Sequence, residues 1–237
     1  MITCIGDIHG WADRLEQILA HSVGHLVFVG DLIDRGPDAR AVVARVRSLV
    51  ESGRASCVLG NHEYAFVRSL GSPLDGIAPD PEMHDAWLAF YGGADTARSY
   101  GAPAGGAALR RAAAEDLRWL VSLPWYISDR SPDGRRYIAC HAGLSDEPWD
   151  HQRLRLINAW AGYHPGCDLP ADLYAKDRVG RRPVDLPDSV TIIAGHVPMA
   201  RPLISPLAAH IDTTGGGPGR HLTGYIWPEG RVINSRS

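Results

Sequence analysis

Gly6-Asp7-Ile8-His9-Gly10, directly behind the apolar run Met1-Ile2-Thr3-Cys4-Ile5, is the stretch on which the reading of this chain turns. The first five residues read as a short β-strand that ends at a glycine. In an extended segment positions i and i+2 point the same way. Asp7 and His9 therefore aim a carboxylate and an imidazole at one point beyond a strand end, where open α/β sheets collect their ligands. Alone, an Asp-x-His pair is more often a turn residue beside a surface histidine. Its recurrence decides the matter.

His25-Leu-Val-Phe-Val-Gly30 reads as a second buried strand, opening into Asp31-Leu32-Ile33-Asp34-Arg35-Gly36-Pro37. A third, residues 55–59, runs into Gly60-Asn61-His62-Glu63. Between them, Trp11, Leu15, Ile18 and Leu19 keep a helical period over 11–20, and Ala41, Val42, Val46, Leu49 and Val50 keep one over 38–50. The order β-α-β-α-β implies an α/β fold with parallel strands joined by right-handed crossovers, at first sight a doubly wound sheet. Each strand delivers a glycine and then ligand-type residues at its C-terminal end.

Further along, residues 71–115 are broken by Pro73, Pro79, Pro81 and Pro103 and read as a small inserted cap of helices and loops, with a helical piece over 84–91. A helix is expected over 107–122. Residues 125–128 and 136–140 form an expected hairpin across Ser131-Pro132-Asp133-Gly134, and the second strand ends in His141-Ala142-Gly143. Residues 149–188 read as an irregular loop-and-helix excursion. Residues 190–194 make another buried strand, ending in Gly195-His196. Short antiparallel strands are expected over 203–205, 210–213, 222–227 and 232–234. The whole chain, 1–237, reads as one domain.

Composition excludes several alternatives. With 237 residues, 45% hydrophobic and 22% charged, the chain can bury a sizeable core. A net charge of −3 gives no basic field for nucleic acid, and no apolar run approaches a membrane span. No signal-peptide pattern precedes Asp7. Cys4, Cys57 and Cys140 sit in apolar strand runs and read as small buried hydrophobes, reduced in a cytoplasm.

The strand-end residues make one set: Asp7, His9, Asp31, Asn61, His141 and His196. Carboxylate, imidazole and an amide oxygen suit a pair of divalent ions such as Mn²⁺, Fe or Zn²⁺. Two ions bridged by Asp31 could share a hydroxide and aim it in line at phosphorus. Arg35 offers a planar fork for phosphate oxygens. His62 is placed to protonate a leaving alkoxide, and Asp34 to hold and charge that imidazole.

These motifs, with Gly195-His196-Val197-Pro198 closing the series, resemble the calcineurin-like metallophosphoesterases, and more narrowly the compact bacterial phosphoprotein-phosphatase branch. The resemblance spans Gly6 to Pro198. Weaker matches are Trp87-Leu88, Gly92-Gly93, Ser99-Tyr100-Gly101 and His210-Ile211-Asp212-Thr213. It implies a β-sandwich flanked by helices in place of the doubly wound sheet. It also implies one metal on Asp7, His9 and Asp31, and a second on Asp31, Asn61, His141 and His196. Arg35 and Asn61 would meet the substrate phosphate, with His62 and Asp34 as the acid pair. The expected activity is phosphomonoester hydrolysis on a phosphorylated protein or small phosphate ester, of serine/threonine-phosphatase type. The alternative is symmetrical dinucleoside-tetraphosphate hydrolysis, from which Asp34 and Glu63 set the chain apart. A catalytically dead binding protein is disfavoured by the intact ligand set. One departure matters: Trp160 is followed by Ala161-Gly162 where bacterial relatives often carry a second phosphate-binding arginine. Arg178 and Arg155 are the open candidates for that role.

Overall fold

The computed structural model describes residues 1–103, 106–131 and 134–236. Its first half runs β1 (Ile2–Ile5), α1 (Ala12–Leu19), β2 (His25–Phe28), α2 (Ala39–Glu51), β3 (Ala55–Cys57) and α3 (Asn61–Leu70). A helical run follows: a 3-10 turn at Pro73–Asp75, α4 (Pro81–Ala86), a turn of π-helix over Trp87–Tyr91, α5 (Gly93–Ser99), α6 (Gly106–Ala112) and α7 (Ala114–Ser122). The second half contains β4 (Tyr126–Arg130), β5 (Arg136–Cys140), α8 (Trp149–Ile157), α9 (Ala171–Tyr174), β6 (Val190–Ala194), β7 (Leu203–Ile204), β8 (Ala208–His210), β9 (Thr223–Trp227) and β10 (Arg231–Asn234).

Two five-stranded mixed sheets result, in the orders β10-β9-β1-β2-β3 and β4-β5-β6-β8-β7. Period-two alternation sorts their side chains into two layers. Cys4, Val27, Val29, Ala139, Ile193 and Ala209 meet between the sheets, where the Tyr137 and Trp227 rings pack edge to face at 5.3 Å. Ile5, Leu26, Phe28, Ile138, Cys140 and Ile192 face outward into the helical layers. The implied sandwich flanked by helices is thus the observed α/β architecture, and the doubly wound sheet is set aside. No helix among the described residues is long and apolar enough to cross a membrane.

Three local expectations are corrected. The helix expected over 107–122 is broken at Ala113 (φ −102°, ψ 8°), which lets Leu109 in α6 and Leu117 and Leu120 in α7 all turn into the core. The strand expected over 210–213 lies at Ala208–His210, parallel to β6 and antiparallel only to β7. Past His210 the Asp212 carboxylate accepts from Thr214 Oγ1 and Gly215 N, curling the chain into a turn. The third concerns 84–91, where α4 gives way to the π-helical turn after Ala86. Pro132 and Asp133 of the expected hairpin turn lie outside the described residues.

Candidate metal centre

The ends of β1 and β2 are laced together before any side chain is considered. Ile8 N and His9 N both donate to Asp31 O at 2.8 Å, and Gly10 N donates to Leu32 O at 2.8 Å. Glu63, fully buried, completes the lacing. Its carboxylate accepts from Asp31 N and Leu32 N at 2.8 Å, and from Gly60 N at 3.1 Å. Gly60 must lack a side chain, because a Cβ there would lie 2.3 Å from both Asp31 N and Asp31 Oδ1. Among the described residues, five besides glycine have left-handed backbone: His9, Asp31, Asp34, Arg35 and His196. Each such residue costs roughly 1–3 kcal/mol, and strain of this kind concentrates where function needs it.

Two compact groups of metal-competent atoms share Asp31: His9, Asp31 and His62, and Asp31, His141 and His196, with the atoms of each within 4.8 Å of one another. His9 Nδ1 donates to Ile33 O at 3.0 Å and His141 Nδ1 donates to Val29 O at 2.8 Å. A carbonyl can only accept, so both rings carry their proton on Nδ1 and turn the Nε2 lone pair inward. His141 Nε2 lies 2.9 Å from Asn61 Oδ1 and 3.3 Å from Asp31 Oδ1, and His196 Nδ1 lies 2.9 Å from Asn61 Oδ1. Lone pairs converging at this range repel unless a proton or cation lies between them, and a divalent ion satisfies them all.

The electrostatics agree with that fit. Burial and His62 hold His9 well below the usual imidazole range, and burial with His141 lowers His196 to about 4. Both imidazoles are thereby kept neutral, the form that binds metal. Burial alone would raise Asp31, but the neighbouring His141 and His62 outweigh it and keep the carboxylate ionised. Asp7 stands outside the two compact groups. Its Oδ2 accepts from His196 N at 3.0 Å, and burial, Asp212 and Asp31 push its pKa well up. A cation beside Asp7 and Asp31 would relieve that repulsion.

Next to these groups sit His62 and Asp34, the expected acid pair. His62 Nδ1 donates to Asp34 Oδ2 at 2.7 Å, with both side chains buried. Asp34 also accepts from Trp87 Nε1 at 3.1 Å and from Thr96 Oγ1 at 2.6 Å. Burial and Arg35 oppose charge on His62, but Asp31 and Asp34 outweigh them and raise its pKa above the ordinary value. The Tyr91 ring meets His62 edge-on at 5.1 Å. Arg35 lays its fork over the pair: Nη1 is 3.2 Å from His9 Nε2, Nη2 is 3.1 Å from His62 Nε2, and Nη1 also donates to Gly215 O at 2.8 Å.

His9, Asp31, Arg35, Asn61, His62 and His196 form one wall of a cleft of about 420 Å³. The other walls are Met83, Ala86, Phe90, Tyr91, Leu169, Tyr174 and Pro198, with Lys176 as a further cation. Neither open arginine is there. Arg178 is buried on Gly143 O and Asp172, and Arg155 pairs with Asp172 and Glu147. Thr96, Tyr91 and Lys176 were not singled out by motif. Trp87 lay in a weak match, and Lys176 is the only lysine in the sequence.

Relatives bear on the site. The symmetrical bis(5'-nucleosyl)-tetraphosphatase of Ralstonia nicotianae is 43% identical over 96 residues, 35% of this chain and 34% of that protein. The chain therefore spans about a third of the length of that relative. The asymmetrical bis(5'-nucleosyl)-tetraphosphatase of Bacillus velezensis is 27% identical over 98% of this chain and 91% of its own. A putative diadenosine tetraphosphatase shares the fold (TM-score 0.57, 23% identity, all of this chain and 93% of that one). So does a serine/threonine phosphatase from Saccharomyces cerevisiae (TM-score 0.60, 16% identity, all of this chain and 79% of that one). The calcineurin-like phosphoesterase family matches residues 1–215, strand ends and ligand clusters included, and the chain belongs to that family of metal-dependent phosphoesterases.

Proposed function

We propose that this phosphoesterase hydrolyses phosphate monoesters, with phosphoserine- or phosphothreonine-type alkyl esters among its substrates. The reading has two divalent ions, Mn²⁺ first and Fe or Zn²⁺ as alternatives, held by Asp7, His9, Asp31, Asn61, His141 and His196. Such ions supply a nucleophilic water at neutral pH and neutralise charge on the phosphoryl oxygens. Arg35 supplies two donors to those oxygens, leaving His9 and His62 as it turns to the substrate. Residues 71–115 serve as the cap over this cleft within a single domain. The buried free thiols Cys4, Cys57 and Cys140 suit a reducing compartment such as the cytoplasm.

The observation that carries the monoester reading is the buried His62–Asp34 pair, fixed by Trp87 and Thr96. A serine alkoxide is a strong base and leaves only as the alcohol, so a charged imidazole at its oxygen lowers the barrier. A phosphoanhydride leaving group needs that proton far less. Replacing His62 with Asn is expected to slow alkyl phosphate turnover about a hundredfold, with a smaller loss on an aryl phosphate and unchanged metal content. Equal losses on both esters would remove His62 from the acid role.

A second reading, dinucleoside-tetraphosphate hydrolysis, is favoured by the Bacillus velezensis relative, whose similarity runs through nearly the whole chain. Asp34→Asn separates the two readings. Under the first it lowers kcat/KM for alkyl phosphates much more than for a dinucleoside tetraphosphate. A clear preference for the tetraphosphate that survives Asp34→Asn promotes the second.

A further inference from the structure

Three of the four cysteines are closed to chemistry. Cys4, Cys57 and Cys140 are buried in β1, β3 and β5, and burial pushes their thiols up, that of Cys140 to about 12. A thiol so held neither ionises nor meets a reagent. Cys167 differs in exposure and in neighbours. It is half-buried in the run between α8 and α9, and it lines a cavity of about 670 Å³ with Tyr64, Trp125 and Tyr163. That cavity shares no lining residue with the cleft of the metal centre. Arg68 Nη2 donates to Cys167 O at 3.0 Å, and Cys167 lies close enough to Arg68, Tyr64 and Tyr163 to act on the charge of all three. Arg68 is 2% exposed, and its Nε and Nη1 are buried with no hydrogen-bond partner among the described residues. The guanidinium lies 5.6 Å from the centre of the Tyr64 ring and 5.5 Å from that of Tyr163, and a ring face offers a cation no oxygen acceptor. Charged donors thus stay unpaired beside a thiol, itself a weak acceptor. An oxygen on that sulfur would give them what they lack.

We propose that Cys167 is a site of reversible S-oxidation, where a hydroperoxide converts the thiol to a sulfenic acid whose oxygen is held by Arg68. The sulfur attacks one oxygen of the peroxide, so that an S–O bond forms as the O–O bond breaks. The sulfur is oxidised and the peroxide reduced by the same electron pair, and with hydrogen peroxide the second oxygen leaves as water carrying the thiol proton. Arg68 meets the charge that builds on the oxygens as their bond breaks, then donates Nε or Nη1 to the sulfenic oxygen. Because the other three thiols are closed off inside the strands, the sulfenic acid has no thiol of its own chain to condense with. It persists until a small thiol enters through the cavity; an S–S bond then replaces the S–O bond and water leaves.

Trapping chemistry tests this without reference to turnover. The full chain, loaded with redox-inert Zn²⁺, is treated with hydrogen peroxide in the presence of dimedone, which alkylates sulfenic acids. Mass spectrometry then quantifies the adduct on each cysteine. Cys167 should carry about tenfold more adduct than Cys4, Cys57 or Cys140. It should also react about tenfold faster than the same cysteine in a synthetic peptide of residues 160–174, which has the thiol and lacks Arg68. Arg68→Lys keeps a cation for Asp80 but removes the fork with its unpaired donors, and should lower the rate about fivefold or more. Adduct spread evenly over the four cysteines, a Cys167 no faster than the peptide, or an unchanged rate in folded Arg68→Lys would each overturn the site. Should Arg68→Lys fail to fold, the ratio of parent to peptide decides alone, and a ratio near one sinks the proposal.

Discussion

Gly216 carries no side chain because Arg35 fills the space one would need. A Cβ there would lie 2.2 Å from Arg35 Cδ, on backbone already at φ +70°. The neighbouring Gly215 carbonyl accepts from Arg35 Nη1, and Thr214 Oγ1 ties the same loop to Asp7 O at 2.8 Å. Gly216→Ala is expected to displace the guanidinium and weaken inhibition by inorganic phosphate about tenfold, with metal content unchanged. Retained phosphate affinity in this variant would mean that Arg35 is not the phosphate ligand. At this scale the sequence was highly legible for residues flanked by glycine, since the tight strand-end turns need both features together. The strand-end placement of Asp7, His9, Asp31, Asn61 and His196 was readable for that reason, and that of His141, between Cys140 and Ala142, from the end of its apolar run. Lys176 was not, because it sits in the irregular run 149–188 with no local pattern. Its one available signal was its uniqueness in the composition.

At the scale of elements, α3 organises the neighbourhood. Its first turn supplies Asn61, His62 and Glu63 to the site, and near its other end Arg68 forms a buried ion pair with Asp80. Asp80 Oδ1 also accepts from Met83 N at the start of α4, Asp80 Oδ2 accepts from Gly166 N, and Arg68 donates to Cys167 O. One pair thus fastens the start of α4 and the 166–167 segment to the helix that carries His62. Burial alone would raise Asp80, but the Gly166 N–H, the Arg68 guanidinium and the Met83 N–H outweigh it and lower its pKa. A lowered folded-state pKa means that the stabilisation is full above the ordinary value of 3.8 and is lost as pH falls through the lower folded value. Asp80→Asn should cost about 3–5 kcal/mol at neutral pH, and the gap to the parent should narrow below about pH 4. A gap constant from pH 7 to pH 3 in chemical denaturation would deny the ion pair that role. None of this was visible in sequence, where α3 read as a motif and the π-turn as ordinary helix. Arg68 and Asp80 are twelve positions apart and meet only because the chain turns back at the Ser72–Ile77 bridge. The break at Ala113 was hidden for a different reason: alanine suits either side of it.

Across the whole molecule, the candidate ligands divide between the two sheets. Asp7, Asp31 and Asn61 follow β1, β2 and β3, while His141 and His196 follow β5 and β6. Between those strand ends the sandwich holds buried carboxylates, with Asp7, Asp31, Asp212 and Glu63 close enough to raise one another's pKa or be raised by it. Ions bound here would join the sheets and cancel that repulsion, so occupancy should show in stability as well as in turnover. An ion at a hundred times its Kd adds about 2.7 kcal/mol. For a chain of this size each kcal/mol is worth about 2–4 °C in Tm. Two ions should therefore raise Tm by roughly 10 °C or more over the chelated protein. His196→Ala, which removes a ligand contributed by the second sheet, should lose a large part of that increment while its chelated form melts near the chelated parent. If chelation abolishes activity and leaves Tm where it was, the ions serve the chemistry alone and the two sheets hold together without them.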